Sequence, residues 1–126
     1  MQFKWGTYQW FLEHGIDEIH PEDLESFKNE AHNCKIFQCV KEDEQYITLK
    51  YRENFYRVKN DLFKEVTKPE FDFGEIITLS NNQKHEAVIT DIMWHYDKKE
   101  PYYFIKEGGK KRSKRYYETE LRIKTP

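Results

Sequence analysis

The densest group of chemically active side chains lies between residues 106 and 115. Six basic residues stand there against a single acid, Glu107. The six are Lys106, Lys110, Lys111, Arg112, Lys114 and Arg115. Four aromatic residues come shortly before them in the chain, and these are Trp94, Tyr96, Tyr102 and Tyr103. This combination suits single-stranded nucleic acid, because cations hold the phosphates while rings stack on the bases. The same rings also suit a cage for a cation or a groove for a peptide.

We call residues 106–115 the basic hairpin, and two further interpretations of it stay open. A small fold needs aromatic filling, and alternation along a strand sends Tyr102 and Tyr103 to opposite faces, so part of the aromatic set is expected in the core. The cations would then form only a solvated hairpin. Alternatively, the hairpin pairs with the acidic segment 17–30, which holds six carboxylates and one lysine. Such exposed ion pairs contribute about 0 to 1 kcal/mol each, and they would leave no basic site open.

Catalytic motifs are missing from the sequence. It contains no glycine-rich phosphate loop, no nucleophile elbow, no zinc-type cysteine pair and no His-Glu-x-x-His pattern. His95 and Asp97 lie two residues apart, so they could act as a base and an orienting acid, but a polar edge beside a turn explains them more simply. We therefore expect a protein that is not an enzyme and that uses no metal and no cofactor.

The two cysteines and the hydropathy pattern bear on location. Cys34 and Cys39 fall five residues apart in one predicted strand, so their side chains point to opposite faces. A mutual disulfide is then not expected, and both are predicted to be buried thiols. No stretch approaches the roughly 18 apolar residues that span a bilayer, and no signal peptide is recognisable. These features predict a cytoplasmic protein with no membrane contact.

Composition favours a folded, β-rich chain. Aromatic residues make up 17% of the 126 residues, nearly half of the 37% that are hydrophobic. Charged residues reach 35%, yet the net charge is only −2, whereas disordered chains combine few aromatics with a large net charge. Large, stiff rings suit thin sheets and small barrels. The length allows one ordinary domain or two very small ones.

One helix is predicted in the first half, at residues 21–31. Pro21 suits the first helical position, acids follow in the first turn, and His20 then stands at the N-cap. The apolar residues that recur at helical spacing are Leu24, Phe27 and Ala31. The aromatic segment 1–15, which precedes this helix, is expected to pack across the body of the protein.

Short strands separated by polar turns are predicted for the rest. In the first half they cover 35–40, 46–52, 55–59 and 63–66, and in the second half 75–79, 86–96, 102–106, 111–116 and 122–124. The strand 86–96 is expected to bend near Asp91, and Gly108 and Gly109 supply the positive φ of a hairpin turn. Segments 57–63 and 115–121 both run from a strand through a polar turn to an acidic-Leu pair. This similarity indicates duplicated units.

The segments 74–79, 87–92 and 115–121 resemble the first, second and last elements of a Src-homology-3-like barrel of the Tudor or KOW kind. The whole chain is also similar to small uncharacterised bacterial proteins that carry two such units. The resemblance implies two barrels packed together. The N-terminal barrel would cover residues 1–66 with the aromatic segment and the helix, a linker would follow at 67–73, and the C-terminal barrel would cover 74–126.

The resemblance implies a fold and no activity, because function belongs to the site. We predict a non-catalytic binding module that recognises another protein in a bacterial cytoplasm. The alternative is single-stranded nucleic-acid binding through the basic hairpin. The candidate binding residues are Lys110, Lys111, Arg112, Lys114, Arg115, Trp94, Tyr102 and Tyr103. The sequence does not specify the partner or the oligomeric state.

Overall fold

Two antiparallel sheets dominate the protein. In the computed structural model, which describes residues 3–124, strands account for 49% of residues and helical turns for 17%. The prediction of a mainly β protein is therefore confirmed. The chain divides into two compact units, residues 1–68 (unit 1) and residues 69–126 (unit 2), and each contains one sheet.

Unit 1 contains a five-stranded sheet with the strand order β4-β3-β2-β1-β5. Its strands are β1 (Lys4–Tyr8), β2 (Phe37–Glu42), β3 (Ile47–Tyr51), β4 (Asn54–Val58) and β5 (Phe63–Val66). The aromatic N-terminal segment thus contributes β1, which the sequence did not predict as a strand and which lies between β2 and β5. Tyr8 and Trp10 are buried, whereas Phe3 and Phe11 are about half exposed. The predicted segment also included Met1 and Gln2, which lie outside the described residues.

The predicted helix forms, but it is shorter than expected. A 3-10 turn at Pro21–Asp23 leads into α1 (Leu24–Asn29), and Nδ1 of His20 caps the turn by accepting from the Glu22 backbone N–H at 3.1 Å. Phe27 is fully buried. Ala31 was predicted on the buried helical face, but it is exposed in a turn at φ 54°, because the helix has already ended.

The segment before α1 covers the outer edge of β4. Ile19 forms a bridge with Val58, the His20 N–H donates to the Arg57 carbonyl at 2.9 Å, and the Lys59 N–H donates to the Glu18 carbonyl at 2.7 Å. Covered edges resist pairing with other chains.

Unit 2 contains a sheet with the strand order β10-β8-β7-β6-β11, and β9 pairs with β8 off this path. Its strands are β6 (Ile76–Leu79), β7 (Asn82–His95), β8 (Glu100–Glu107), β9 (Lys110–Lys111), β10 (Tyr116–Tyr117) and β11 (Leu121–Ile123). The pairing of β7 with β8 shifts register between Ile89 and Asp91, which is the position where the sequence predicted a bend. The predicted strand 111–116 is wrong as one element, since residues 112–115 separate β9 from β10.

When each unit is numbered from its own first strand and the short strand β9 is left out, the two sheets have the same strand order. In each, a single 3-10 turn precedes the last strand, at Asn60–Leu62 before β5 and at Glu118–Glu120 before β11. The last strand then pairs with the first strand of its unit, β5 with β1 and β11 with β6. Between the described strands neither hydrogen-bonded ladder closes on itself.

Alternation along the strands builds each core. In unit 1 the buried faces of β2, β3 and β4 carry Phe37, Leu49 and Tyr56. The ring centroids of Phe37 and Tyr56 lie 5.9 and 5.3 Å from that of Phe27 of α1. Cys39 is buried in this core as predicted. Cys34, however, is only half-buried, because it lies in a turn at φ 65° before β2 and not in a strand.

Segment 67–73, which the sequence identified as a linker, contains two buried residues, Pro69 and Phe71. Phe71 is 4% exposed, and its ring meets the Tyr103 ring edge-on at 5.5 Å. The Phe71 N–H donates to the Tyr103 hydroxyl at 3.4 Å, and the Glu70 N–H donates to the Glu118 carboxylate at 2.8 Å. The end of this segment therefore packs as part of unit 2.

Candidate binding site

The basic hairpin projects from unit 2 as an exposed loop between β8 and β10. Its tip is Gly108-Gly109, with φ of 56° and 81°, which confirms the predicted glycine turn. All six cations of the sequence-predicted cluster, Lys106 through Arg115, are exposed. The structure thus brings Lys110, Lys111, Arg112, Lys114 and Arg115 together on one hairpin.

The hairpin cations have local acidic partners in unit 2. Arg112 lies 3.4 Å from the Glu107 carboxylate, Lys111 lies 3.9 Å from Asp91, and Lys114 lies 3.7 Å from Glu120. These three cationic side chains remain 50 to 69% exposed, so each pair contributes little and opens readily. His85 and Arg112 together hold the pKa of Glu107 below its ordinary value, chiefly through the hydrogen bond with His85 at 3.2 Å.

Of the four predicted aromatic residues, Tyr96 is 41% exposed, whereas Tyr102 and Tyr103 do not present open rings. Tyr103 is fully buried in the unit 2 core, where its hydroxyl donates to Glu118 at 2.6 Å and burial raises its pKa. Tyr102 points to the opposite face, as alternation predicts, yet it is only 5% exposed, with the Arg115 guanidinium 4.8 Å from its ring centroid. Trp94 is half-buried. The expected use of Tyr102 and Tyr103 as open stacking surfaces is therefore not supported in this conformation.

An apolar strip that the sequence did not identify lies beside the hairpin. Ile76 is 49% exposed and Val88 is 37% exposed, and they are direct cross-strand partners on β6 and β7. Val88 pairs in turn with Lys106, and Lys106 with Lys111. Directly opposite residues lie on the same face of a sheet. Two apolar side chains on β6 and β7 and two lysines on β8 and β9 therefore form one row across four strands. We call this row, with the hairpin, the basic-apolar face.

The basic-apolar face contains an open groove of about 440 Å³. It is lined by Ile76, Glu86, Ala87, Val88, Lys106, Gly108 and Gly109. The alternation of side chains along a strand could have identified the apolar part of this groove from the sequence. Ile77, Ala87 and Ile89 are buried, so their neighbours Ile76 and Val88 must face outward. The arrangement suits a ligand that combines apolar groups with negative charge.

Comparison with known proteins gives a family for this molecule. The model of a family of unknown function (DUF6960) matches residues 1–122. The chain belongs to DUF6960. No curated protein and no solved structure matches the chain. The DUF6960 match extends over the sheets of both units, including every residue of the basic-apolar face.

The acidic segment 17–30 of this DUF6960 protein is paired within unit 1. Asp23 accepts from the Arg57 side chain at 2.8 Å and from the Arg57 backbone N–H at 2.8 Å, and this contact with Arg57 holds the pKa of Asp23 below its ordinary value. Glu30 accepts from Lys35 at 2.8 Å and from the Tyr56 hydroxyl at 2.6 Å. Burial alone would raise the pKa of Glu30, but these two contacts outweigh it and lower the pKa. The acidic helix and the basic hairpin therefore each have partners inside their own unit.

The described part of this DUF6960 protein shows no cluster of metal-ligating side chains. Among residues 3–124, no group of three or more His, Cys, Asp or Glu side chains is placed to hold a metal ion. His95 Nδ1 accepts from the Lys98 backbone N–H at 3.1 Å, and Asp97 is exposed in the adjoining turn. Within the same residues no helix has the length and apolar composition needed to cross a bilayer.

Proposed function

We propose that this protein is a non-catalytic binding module of a bacterial cytoplasm and that unit 2 binds a partner protein through the basic-apolar face. The partner segment is acidic and carries at least one apolar side chain. The apolar side chain lies over Ile76 and Val88, and its acids meet Lys106 and Lys111. The observation that carries this proposal is the exposed Ile76–Val88 pair, which continues directly into the cations of the hairpin.

The architecture that we propose is a pair of related Src-homology-3-like folds of the Tudor or KOW kind. The shared strand order and the single 3-10 turn before each last strand support a duplication. Small folds of this kind present loops from a rigid support, and binding requires no cofactor. A hairpin fixed by β8 at its base loses little conformational entropy when a partner binds.

Burial of the predicted rings favours a protein partner over a nucleic acid at this face. Stacking on single-stranded bases needs an open ring, and Tyr102 and Tyr103 offer none. Ile76 and Val88, in contrast, suit apolar side chains of a peptide. The weak pairs of Lys111 and Lys114 with Asp91 and Glu120 are easily exchanged for carboxylates of a partner.

A displayed library of random peptides tests this proposal. We expect selection on the wild-type protein to enrich peptides that combine acids with an apolar residue. Val88→Thr should weaken the selected peptides about tenfold, because it exchanges one buried methyl group, which contributes about 0.8 kcal/mol, for a hydroxyl whose desolvation without a partner costs about 1 kcal/mol more. The double variant Lys110→Glu, Lys111→Glu should weaken them at least as much.

The matched control is the double variant Lys41→Glu, Lys64→Glu, which makes the same change in net charge on exposed strand residues of unit 1. It should bind the selected peptides as the wild type does. Peptides that bind all variants equally, or a selection that enriches nothing, would contradict the proposal. If the hairpin variant instead loses binding of single-stranded oligonucleotides, the ligand of this face is a nucleic acid.

A further inference from the structure

The outward face of the unit 1 sheet combines aromatic rings with cations. Strand pairing places Trp5, Lys50 and Phe55 in one row across β1, β3 and β4, with Gln38 of β2 between Trp5 and Lys50. A second row contains Lys41, Thr48 and Arg57, and Lys64 of β5 lies opposite Thr7 on the same face. We call Trp5, Lys41, Lys50, Phe55, Arg57 and Lys64 the unit 1 face.

The alternation of the strands keeps acids off this face. The strands of unit 1 contain two glutamates, Glu42 and Glu65. Their cross-strand partners are Ile47 and Gly6, so both belong to the opposite face, with the core residues. Both strand glutamates and Lys4 therefore lie on the core side of the sheet, while the other four strand cations lie on the opposite side, although the whole chain carries a net charge of −2.

Among the described residues, most cations of the unit 1 face form no ion pair within 4 Å. Arg57 is held by Asp23 at 2.8 Å. Across the described residues, no ion pair involves Lys41, Lys50 or Lys64. Lys41 and Lys64 are exposed and Lys50 is half-exposed. A concentration of unpaired cations is the electrostatic feature that recognises a polyanion.

The rings of this face are accessible, in contrast to Tyr102 and Tyr103. Phe55 is 55% exposed, and Trp5 is half-buried with part of its ring open to solvent. Each has a lysine above it, with Lys50 Nζ 6.0 Å from the Phe55 centroid and Lys68 Nζ 5.0 Å from the Trp5 ring. Three strand spacings of about 4.8 Å separate the two rings. Two ring-and-cation pairs therefore lie on the same side of the sheet.

We propose that the unit 1 face binds single-stranded nucleic acid. Lys41, Lys50, Lys64 and Lys68 contact phosphates, and bases stack on Trp5 and Phe55. An acidic protein segment would use the cations but has no need of two separated, exposed rings, whereas bases stack on them whatever the sequence. This site is distinct from the basic-apolar face and does not depend on the function proposed for unit 2.

Fluorescence anisotropy with labelled oligo-dT and oligo-rU of about 12 nucleotides, a length within the range that single small barrels bind, tests the proposal. We expect binding that weakens steeply as salt rises, and weaker binding of a duplex of the same length. Phe55→Ala should reduce affinity for the single strands about tenfold, because one stacking contact is removed. Its exposure makes this change safe for folding. Lys50→Glu with Lys64→Glu should reduce affinity further and flatten the salt dependence.

The double variant Lys110→Glu, Lys111→Glu is the matched control and should bind the single strands as the wild type does. Absence of binding at low salt would overturn the proposal. Unchanged affinity in both Phe55→Ala and the double variant Lys50→Glu, Lys64→Glu would also overturn the proposal. Equal affinity for the single strand and the duplex would overturn it as well. Loss of binding in the hairpin variant would overturn the proposal by showing that the nucleic acid binds unit 2. The peptide selection tests the function proposed for unit 2 separately.

Discussion

His32 shows how one residue couples the unit 1 core to pH. Its Nε2 lies 2.6 Å from the Trp10 carbonyl oxygen, and because a carbonyl only accepts, Nε2 carries the proton. Its Nδ1 is buried and has no hydrogen-bond partner among residues 3–124. The ring stacks on Phe27 with centroids 4.8 Å apart. Burial therefore disfavours the imidazolium and lowers the pKa of His32 below its ordinary value of 6.5.

This lowered pKa predicts acid destabilisation. The unfolded chain protonates His32 near pH 6.5, whereas the folded chain resists protonation, so the stabilisation is complete above that pH and is lost as the pH falls toward the folded pKa. His32→Gln retains a donor for Trp10 but does not titrate. We expect it to cost about 1 kcal/mol at pH 8 through lost ring stacking, and to flatten the dependence of the unfolding free energy between pH 7 and about pH 5.

Urea unfolding at several pH values measures the effect. The control is His85→Gln, since the His85 side chain is 54% exposed. His85→Gln should retain the wild-type decline in stability over the same range. A decline that is equally steep in His32→Gln would show that other groups cause it.

At the residue scale, the sequence was informative about charges and uninformative about rings. The hairpin cations could be predicted as exposed because desolvating an unpaired charge is costly. The burial of Tyr102 could not be predicted. Alternation assigns Tyr102 to one face of the sheet but does not show that Arg115 and Tyr117 cover its ring there. Ile76 and Val88 were missed because both were taken as ordinary members of predicted strands.

At the scale of elements, a glycine in β1 determines how closely this first strand of unit 1 approaches β5, the last strand. Gly6 lies at the centre of β1 and opposite Glu65 of β5. A Cβ at this position would come 2.6 Å from Cζ of the Phe63 ring and would also meet the Lys64 carbonyl oxygen. The close approach of β1 to β5 therefore requires glycine here.

Gly6→Ala should destabilise the protein by about 1 to 3 kcal/mol, because β1 and β5 must separate to admit the methyl group. Chemical unfolding followed by circular dichroism measures this cost. In a Phe63→Leu background the same substitution should cost less, since the aromatic ring is gone, although the Lys64 carbonyl still opposes it. Wild-type stability of Gly6→Ala would contradict the close packing of these two strands.

Elements with strong local signals could be predicted, and those that depend on distant pairing could not. The strand at residues 63–66, the turn at 60–62 and the irregularity near Asp91 follow from alternation and turn residues nearby in sequence. β1 was missed because its partners are β2 and β5, more than thirty residues away at the nearest pairing. The division of 111–116 into β9 and β10 also depends on pairing with two separate parts of β8.

At the scale of the whole molecule, a small net charge conceals two local concentrations of cations. The hairpin of unit 2 collects six of them, and the outward strand positions of unit 1 collect four more. The totals of 23 acidic and 21 basic residues do not show that either of these basic surfaces exists. Because salt screens charges beyond about 8 to 10 Å, the ligand that we propose for each surface would meet the local charge of that surface and not the total charge of the chain.

Site-specific photo-crosslinking in cells tests the central claim, that the basic-apolar face is an interface with another protein. A photoreactive side chain at Val88 should give discrete protein adducts, and the same group at exposed Glu53 of unit 1 should not. The Val88 adducts should disappear when Lys110 and Lys111 are changed to glutamate, because the cations hold the partner. No protein adduct at Val88, or the same adducts from both positions, would contradict the account.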